Sequence, residues 1–230
     1  MKRTISKDTE QGSSEWLQLR CGIVTASTMR NLVTASGKPA DNDTSRGFVR
    51  TLATERIIGV PEFTYPTRPM QRGNLLEPFA RDLYAEHYAP VEEVGFIRLD
   101  TERYALGFSP DGLVEHDGLV EFKAPGPKEH LRTILADEVP AVYKWQVQVG
   151  LFTTGRSWID FCSYCPGMQF YRKRVYPNPE AFETIETAVT NAEAQIRGML
   201  HTYYTTGRAN KRIHTEHFDP FELEEVEITF

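Results

Sequence analysis

Cysteine is scarce: Cys21, Cys162 and Cys165 are the three in 230 residues. That is too few for a disulfide scaffold and points to a reducing, cytoplasmic compartment. Cys162 and Cys165 form one C-x-x-C, but no second pair stands elsewhere to close a four-ligand zinc site. Their setting, WIDFCSYCP, reads as a strand, so both are expected to be buried structural thiols. A run of about eighteen apolar residues is also missing, which argues against a membrane-spanning helix. The opening MKRTISKDTEQGSS is basic at first but has no apolar stretch, so residues 1–12 read as a mobile arm and not a secretory leader. Repeats and low-complexity tracts are absent. Excess positive charge is absent too: 26 Lys and Arg stand against 32 Asp and Glu, a net charge of −6. A uniformly basic nucleic-acid-binding surface is thereby excluded. Basic residues nonetheless cluster at Arg46/Arg50, Arg68/Arg72, Lys128/Arg132, Arg172/Lys173/Arg174 and Arg208/Lys211/Arg212, and folding can gather several on one face.

What is present is ordinary globular material, 40% hydrophobic and 25% charged, enough for one domain spanning the chain. Residues 13–20 read as a short helix with a serine cap and Glu15 in its first turn, ended at Gly22. Ser27 reads as the cap of a second helix. A loop at 37–45 precedes a helix at 46–59, and an irregular Pro-rich stretch at 60–73 precedes one at 74–88. Pro78 places Glu77 near that helix's start or a bend. VEEVGFIRLD alternates as one strand. Residues 103–125 read as two strands with a turn at 116–118. Helices are expected at 128–137 and 140–154, strands at 157–165 and 169–176, and a long amphipathic helix from Pro179. The tail from 213 to 230 ends in FELEEVEITF, acidic and apolar, a strand or a docking segment. This order predicts an α/β fold with a mixed central β-sheet flanked by helices.

The chemistry concentrates in GFSPDGLVEHDGLVEFKAP, Gly107 to Pro125, which carries Asp111, Glu115, Asp117, Glu121 and Lys123. On a strand, side chains two apart share a face, so Glu121 and Lys123 point one way while Val120 and Phe122 point the other. If the turn returns Asp111 to Glu121, two carboxylates repel unless a divalent cation neutralises them. All-oxygen ligands favour Mg²⁺ or Mn²⁺ over zinc. A cation so held, with an ammonium beside it, suits phosphodiester hydrolysis. The competing reading is a hairpin whose Glu121 and Lys123 merely face water.

Pro110-Asp111 followed by Glu121-x-Lys123 resembles the PD-(D/E)XK nuclease signature. EWLQLRCGIVTAST (15–28), RGNLLEPFARDLY (72–84), GFSPDGLV (107–114), LVEFKAP (119–125) and YKWQVQVGLF (143–152) are similar, in order and spacing, to the phage lambda exonuclease family and its alkaline-exonuclease-type viral recombinase relatives. The resemblance covers roughly residues 13–175. It implies a restriction-endonuclease-like core and a single nuclease domain. It also implies roles: Asp111, Glu121 and the Phe122 carbonyl as metal ligands, Glu77 as the acid helping to hold a second Mg²⁺, Lys123 placing the attacking water, and Gln146 near the site. Arg20, Ser27 and Ser109 match residues binding a terminal 5′-phosphate, and an arginine fork suits that group. Met70 falls where the family places an apolar wedge, usually leucine. The implied activity is 5′→3′ exonuclease on double-stranded DNA with 5′-phosphate ends, releasing mononucleotides and leaving a 3′ overhang. The implied assembly is a homotrimeric ring, and the implied partner a phage single-strand annealing protein in a bacterial host. Two rivals remain at this point: an endonuclease on the same core, and a non-catalytic DNA-end or protein-interaction module.

Overall fold

The strands divide between two sheets and do not join one. The computed structural model describes residues 1–62, 65 and 67–218, and the acidic segment FELEEVEITF lies outside them. In chain order the elements are β1 (Lys2–Ser6), α1 (Ser14–Arg20), β2 (Val24–Thr25), a 3₁₀ segment (Ala26–Asn31), α2 (Asp43–Ile58), α3 (Arg68–His87), β3 (Val91–Glu92), β4 (Phe96–Asp100), β5 (Ala105–Phe108), β6 (Gly112–Val114), β7 (Gly118–Lys123), α4 (Pro127–Ala136), α5 (Ala141–Thr154), β8 (Trp158–Ser163), β9 (Tyr171–Val175) and α6 (Pro179–Ala209). One sheet has the order β1-β4-β5-β2 and the other β3-β6-β7-β8-β9. Each contains one parallel pair, β2 with β5 and β7 with β8, so both are mixed. Among the described residues no helix is long and apolar enough to cross a membrane.

The split explains several departures from the sequence reading. The N-terminal arm is not free: β1 pairs antiparallel with β4 along its whole length, from Lys2 opposite Asp100 to Ser6 opposite Phe96. The single strand expected at 91–100 breaks at Gly95, where a Cβ would lie 2.0 Å from the Thr9 carbonyl oxygen. Its halves, β3 and β4, belong to different sheets. The pair expected at 103–125 is three strands, because the chain leaves one sheet after β5 and enters the other at β6. Ser27 is not a cap. Thr25 holds that position, with its N–H donating to the Thr28 hydroxyl at 3.0 Å. The helix expected from 74 starts at Arg68, capped by the Thr67 hydroxyl, so Pro78 lies in its interior. The helix expected from 46 starts at Asp43, where Asn42 and Ser45 form a reciprocal capping box.

β7 is buried on both faces. Leu119 joins Phe161, Ile159, Val147 and Leu151 in the larger core, under α5. Val120 and Phe122 join Ala80 and Tyr84 of α3 in a smaller one with Trp158 and Cys162. Cys162 and Cys165 are both buried and free, as expected of structural thiols. Since β7 has no solvated face, the hairpin reading fails: Glu121 is only 1% exposed.

α3 is fastened to the sheet by a buried carboxylate. Asp160 of β8 is inaccessible and accepts from Tyr84 Oη at 2.7 Å, Arg172 Nη1 at 3.0 Å, and Arg174 Nε and Nη2 at 2.9 Å. Burial alone would raise its pKa, but Arg174, Tyr84 and Arg172 hold it below the usual range. A depressed carboxylate contributes stability above its unfolded pKa, which is lost as pH falls through the folded value. Asp160→Asn is therefore expected to cost about 3 kcal/mol at neutral pH, with a smaller deficit in acid. Thermal melts of both proteins across pH check this.

Candidate active site

The β6–β7 hairpin brings the acids together. Register runs from Val114 opposite Gly118 to Gly112 opposite Val120, so Asp111, one residue before the ladder, lies level with Glu121. Glu115 takes a left-handed φ of 50° in the turn. Asp111 Oδ2 accepts from the Phe122 backbone N–H at 2.6 Å. Glu121 Oε1 accepts from Lys123 Nζ at 2.5 Å and from Gln146 Nε2 of α5. Glu77, one turn before Arg81 on α3, accepts from that guanidinium, which also pairs with Glu93 at 2.9 Å.

These groups share one electrostatic field. Burial, then the Asp111 charge, pushes Glu121 up to about 8. Burial, then Asp111, pushes Glu77 up to about 7. Burial also raises Asp111, against the pull of Lys123. For Lys123, burial opposes the charge, but Glu121 and Asp111 outweigh it and keep the ammonium protonated. Such acids hold protons in the folded chain that the unfolded chain has lost, so stability falls as pH rises from the ordinary carboxylate range toward about 8. The melting temperature of chelator-treated protein is expected to decline over that window, and Mg²⁺ to restore it at the alkaline end.

Do these residues fit a divalent cation? Among the described residues no three Asp, Glu, His or Cys side chains stand in a metal-binding arrangement as they are. The reason is visible in the contacts: Arg81 occupies Glu77, and Lys123 with Gln146 occupies one oxygen of Glu121. The other oxygen, Glu121 Oε2, is buried without a hydrogen-bond partner. Beside a second carboxylate, that bare buried oxygen costs free energy whenever Glu121 ionises unless a cation meets it. The donor chemistry of Asp111 and Glu121 therefore fits a hard cation, and Glu77 would have to leave Arg81 to join them.

The second group of predicted residues also converges. Arg20, at the end of α1, donates from Nη1 to Ser109 Oγ at 3.2 Å and from Nη2 to Ser27 Oγ at 3.5 Å. Its guanidinium lies 4.0 Å over the Trp16 ring, and Trp16 Nε1 donates to the same Ser109 hydroxyl at 2.9 Å. Burial lowers the Arg20 pKa to about 10, which leaves it charged at neutral pH. Ser109 stands two residues before Asp111, so the β5–β6 link joins the two groups directly. A cleft of about 1190 Å³ is lined by Arg20, Ser27, Met70, Glu77, Arg81 and Asp111, among others. Met70, on the first turn of α3, is 52% exposed at its edge.

The YqaJ-like viral recombinase domain profile matches residues 15–157. The chain belongs to that family. This YqaJ-like domain is similar, at 31% identity and a TM-score of 0.75, to an alkaline exonuclease, LHK-Exo, from Laribacter hongkongensis, over 87% of this chain and all of that one. A structure of LHK-Exo in complex with dAMP matches at 31% identity with a TM-score of 0.74 over the same shares. A phage-related exonuclease from Haemophilus somnus 129PT shares the fold, with a TM-score of 0.58 and 13% identity, over 79% of this chain and 96% of that one. No curated protein sequence matches. The lambda-exonuclease-type resemblance is thus upheld, and the YqaJ-like domain is a nuclease with the α/β architecture of the alkaline exonucleases.

Sequence reasoning missed three residues of the site. Trp16 sets both Arg20 and Ser109, and its only signal was its i, i+4 spacing from Arg20. Arg81 follows Glu77 by the same spacing. Tyr143 lies with its ring centroid 5.3 Å from Lys123 Nζ and precedes Gln146 by one helical turn.

Proposed function

We propose that this YqaJ-like domain is a metal-dependent 5′→3′ exonuclease that degrades one strand of double-stranded DNA from 5′-phosphorylated ends. The observation that carries the reading is the cleft lined both by Arg20 and Ser27 and by the carboxylates Glu77 and Asp111. In it Arg20 and the two hydroxyls engage the terminal 5′-phosphate, the arginine through charge-assisted bonds. Met70 wedges the terminal base pair. Glu77, Asp111, Glu121 and the Phe122 carbonyl would hold two Mg²⁺ ions, with Mn²⁺ as a substitute. Bound metal would supply neutralisation of the scissile phosphate and an acidified water. Lys123 directs its ammonium at the developing charge, while Gln146 fixes the carboxylate face of Glu121. Mononucleotides leave, and each new 5′-phosphate enters the anchor vacated by the last. A homotrimeric ring in the host cytoplasm, delivering the 3′ overhang to a single-strand annealing protein, completes the proposal.

The test uses three substrates with Mg²⁺: a linear duplex with 5′-phosphates, the same duplex with 5′-hydroxyls, and a closed circle. The phosphorylated duplex should release mononucleotides fastest, the circle should stay intact, and EDTA should stop all release. Nicking of the circle would make the enzyme an endonuclease instead.

A further inference from the structure

Beyond Leu200, α6 contributes to neither the described core nor the cleft. α6 runs alongside α2 in the same direction: Thr184 Oγ1 donates to the Gly37 carbonyl, ahead of α2, and Arg56 in the last turn of α2 pairs with Glu193 at 2.7 Å. Among the described residues Ile196 is the last fully buried side chain on α6, Arg197 makes its last side-chain hydrogen bond to the body, donating to the Arg103 carbonyl, and Met199 and Leu200 still pack against the core. Beyond it the helix continues past the end of α2, where Gly59 accepts from Gln18 of α1 and Pro61 and Glu62 border the cleft.

Residues 201–205 of this projection are all exposed. Tyr203 and Tyr204 are 42% and 47% exposed, with their rings edge to face at 5.2 Å. Arg208, Lys211 and Arg212 follow, exposed, and none makes an ion pair among the described residues. Lys211 adopts a left-handed φ of 54°. Its N–H donates to the Arg208 carbonyl and that of Arg212 to the Gly207 carbonyl, so the chain curls back and keeps the three cations together. Cations at a helix C-terminus complement the carbonyl dipoles. That accounts for the charges, but not for two tyrosines held in water beside them on a chain with a net charge of −6. Exposed aromatic rings followed one helical turn later by cations that make no ion pair among the described residues match the chemistry of a single nucleic-acid strand, whose bases stack while its phosphates pair.

We propose that Tyr203, Tyr204, Arg208, Lys211 and Arg212 form a platform for single-stranded DNA at the C-terminal end of α6. The identity of the strand, the one left undegraded, rests on the exonuclease reading; the binding itself does not.

The test is fluorescence anisotropy of a labelled oligo(dT) in EDTA, so that no cleavage intervenes, with the full chain in its native assembly. Replacing Tyr203 and Tyr204 together by Ala should weaken binding at least about tenfold. Replacing Arg208, Lys211 and Arg212 by Gln should reduce the slope of log affinity against log salt by about 2. Both variants should keep the wild-type melting temperature, oligomeric state and initial rate on a short phosphorylated duplex. Unchanged affinity and slope would overturn the proposal. A changed oligomeric state would also overturn it, by making the surface an interface between copies. Retained oligo(dT) binding through these residues in a protein that leaves duplex ends uncut would support the platform while refuting the exonuclease reading.

Discussion

Lys123→Ala is expected to slow nucleotide release from a phosphorylated duplex by about 10³-fold, the scale on which a single preorganised donor to a developing oxyanion acts. The side chain does two things in the structure. It neutralises Glu121 across a direct hydrogen bond, and it carries a charge that two buried acids keep in place. Removing it leaves Glu121 and Asp111 free to take up protons, so the fold should survive while the rate falls. Single-turnover kinetics with excess enzyme, alongside a thermal melt, separates the two effects. Loss of folding in step with activity would reduce Lys123 to a structural counter-charge. Lys123→Arg tests the point independently: it retains the charge but not the compact ammonium, and should remain slow.

Arg20→Ala should abolish the preference for 5′-phosphorylated over 5′-hydroxyl ends. Each charge-assisted bond to a phosphate is worth about 1.5–3 kcal/mol, so kcat/KM on phosphorylated ends should drop about 10²-fold. The hydroxyl-ended duplex should be nearly unaffected. Arg20 makes its contacts outside the carboxylate group, so the variant should bind divalent ions as the parent does. Trp16→Phe keeps the ring under the guanidinium but removes the Nε1 donor to Ser109, and should show a milder version of the same loss. An equal decline on both substrates would mean that Arg20 supports the fold of the cleft and reads no phosphate.

Much of the site was legible because its chemistry is local. Glu121 and Lys123 sit two apart on one strand, a spacing that fixes a shared face whatever surrounds it. Asp111 is a hairpin away, and the hairpin's turn is written in His116-Asp117-Gly118. Arg20, Ser27 and Ser109 were found only through resemblance, because nothing local says that the end of α1 meets the end of β5. The misreadings have the same cause. Lys2–Ser6 becomes a strand only because β4 offers its edge, and that edge is set by residues ninety or more positions away. The break at Gly95 is invisible in VEEVGFIRLD, since it follows from the approach of Thr9. Burial of Glu121 was hidden because the second face of β7 is covered by α5, which lies beyond it in sequence. Long-range packing decides such matters, and propensity within a window does not carry it.

On the proposed function, Asp111 and the bare oxygen of Glu121 hold a divalent ion beside Lys123. Anomalous diffraction from crystals soaked in Mn²⁺ tests it most directly. A peak is expected within coordination distance of Asp111 and Glu121 Oε2, with Glu77 turned from Arg81 toward it when a second ion binds. Bare density between those carboxylates at saturating Mn²⁺, in crystals of an enzyme that cleaves DNA in the same buffer, would contradict it.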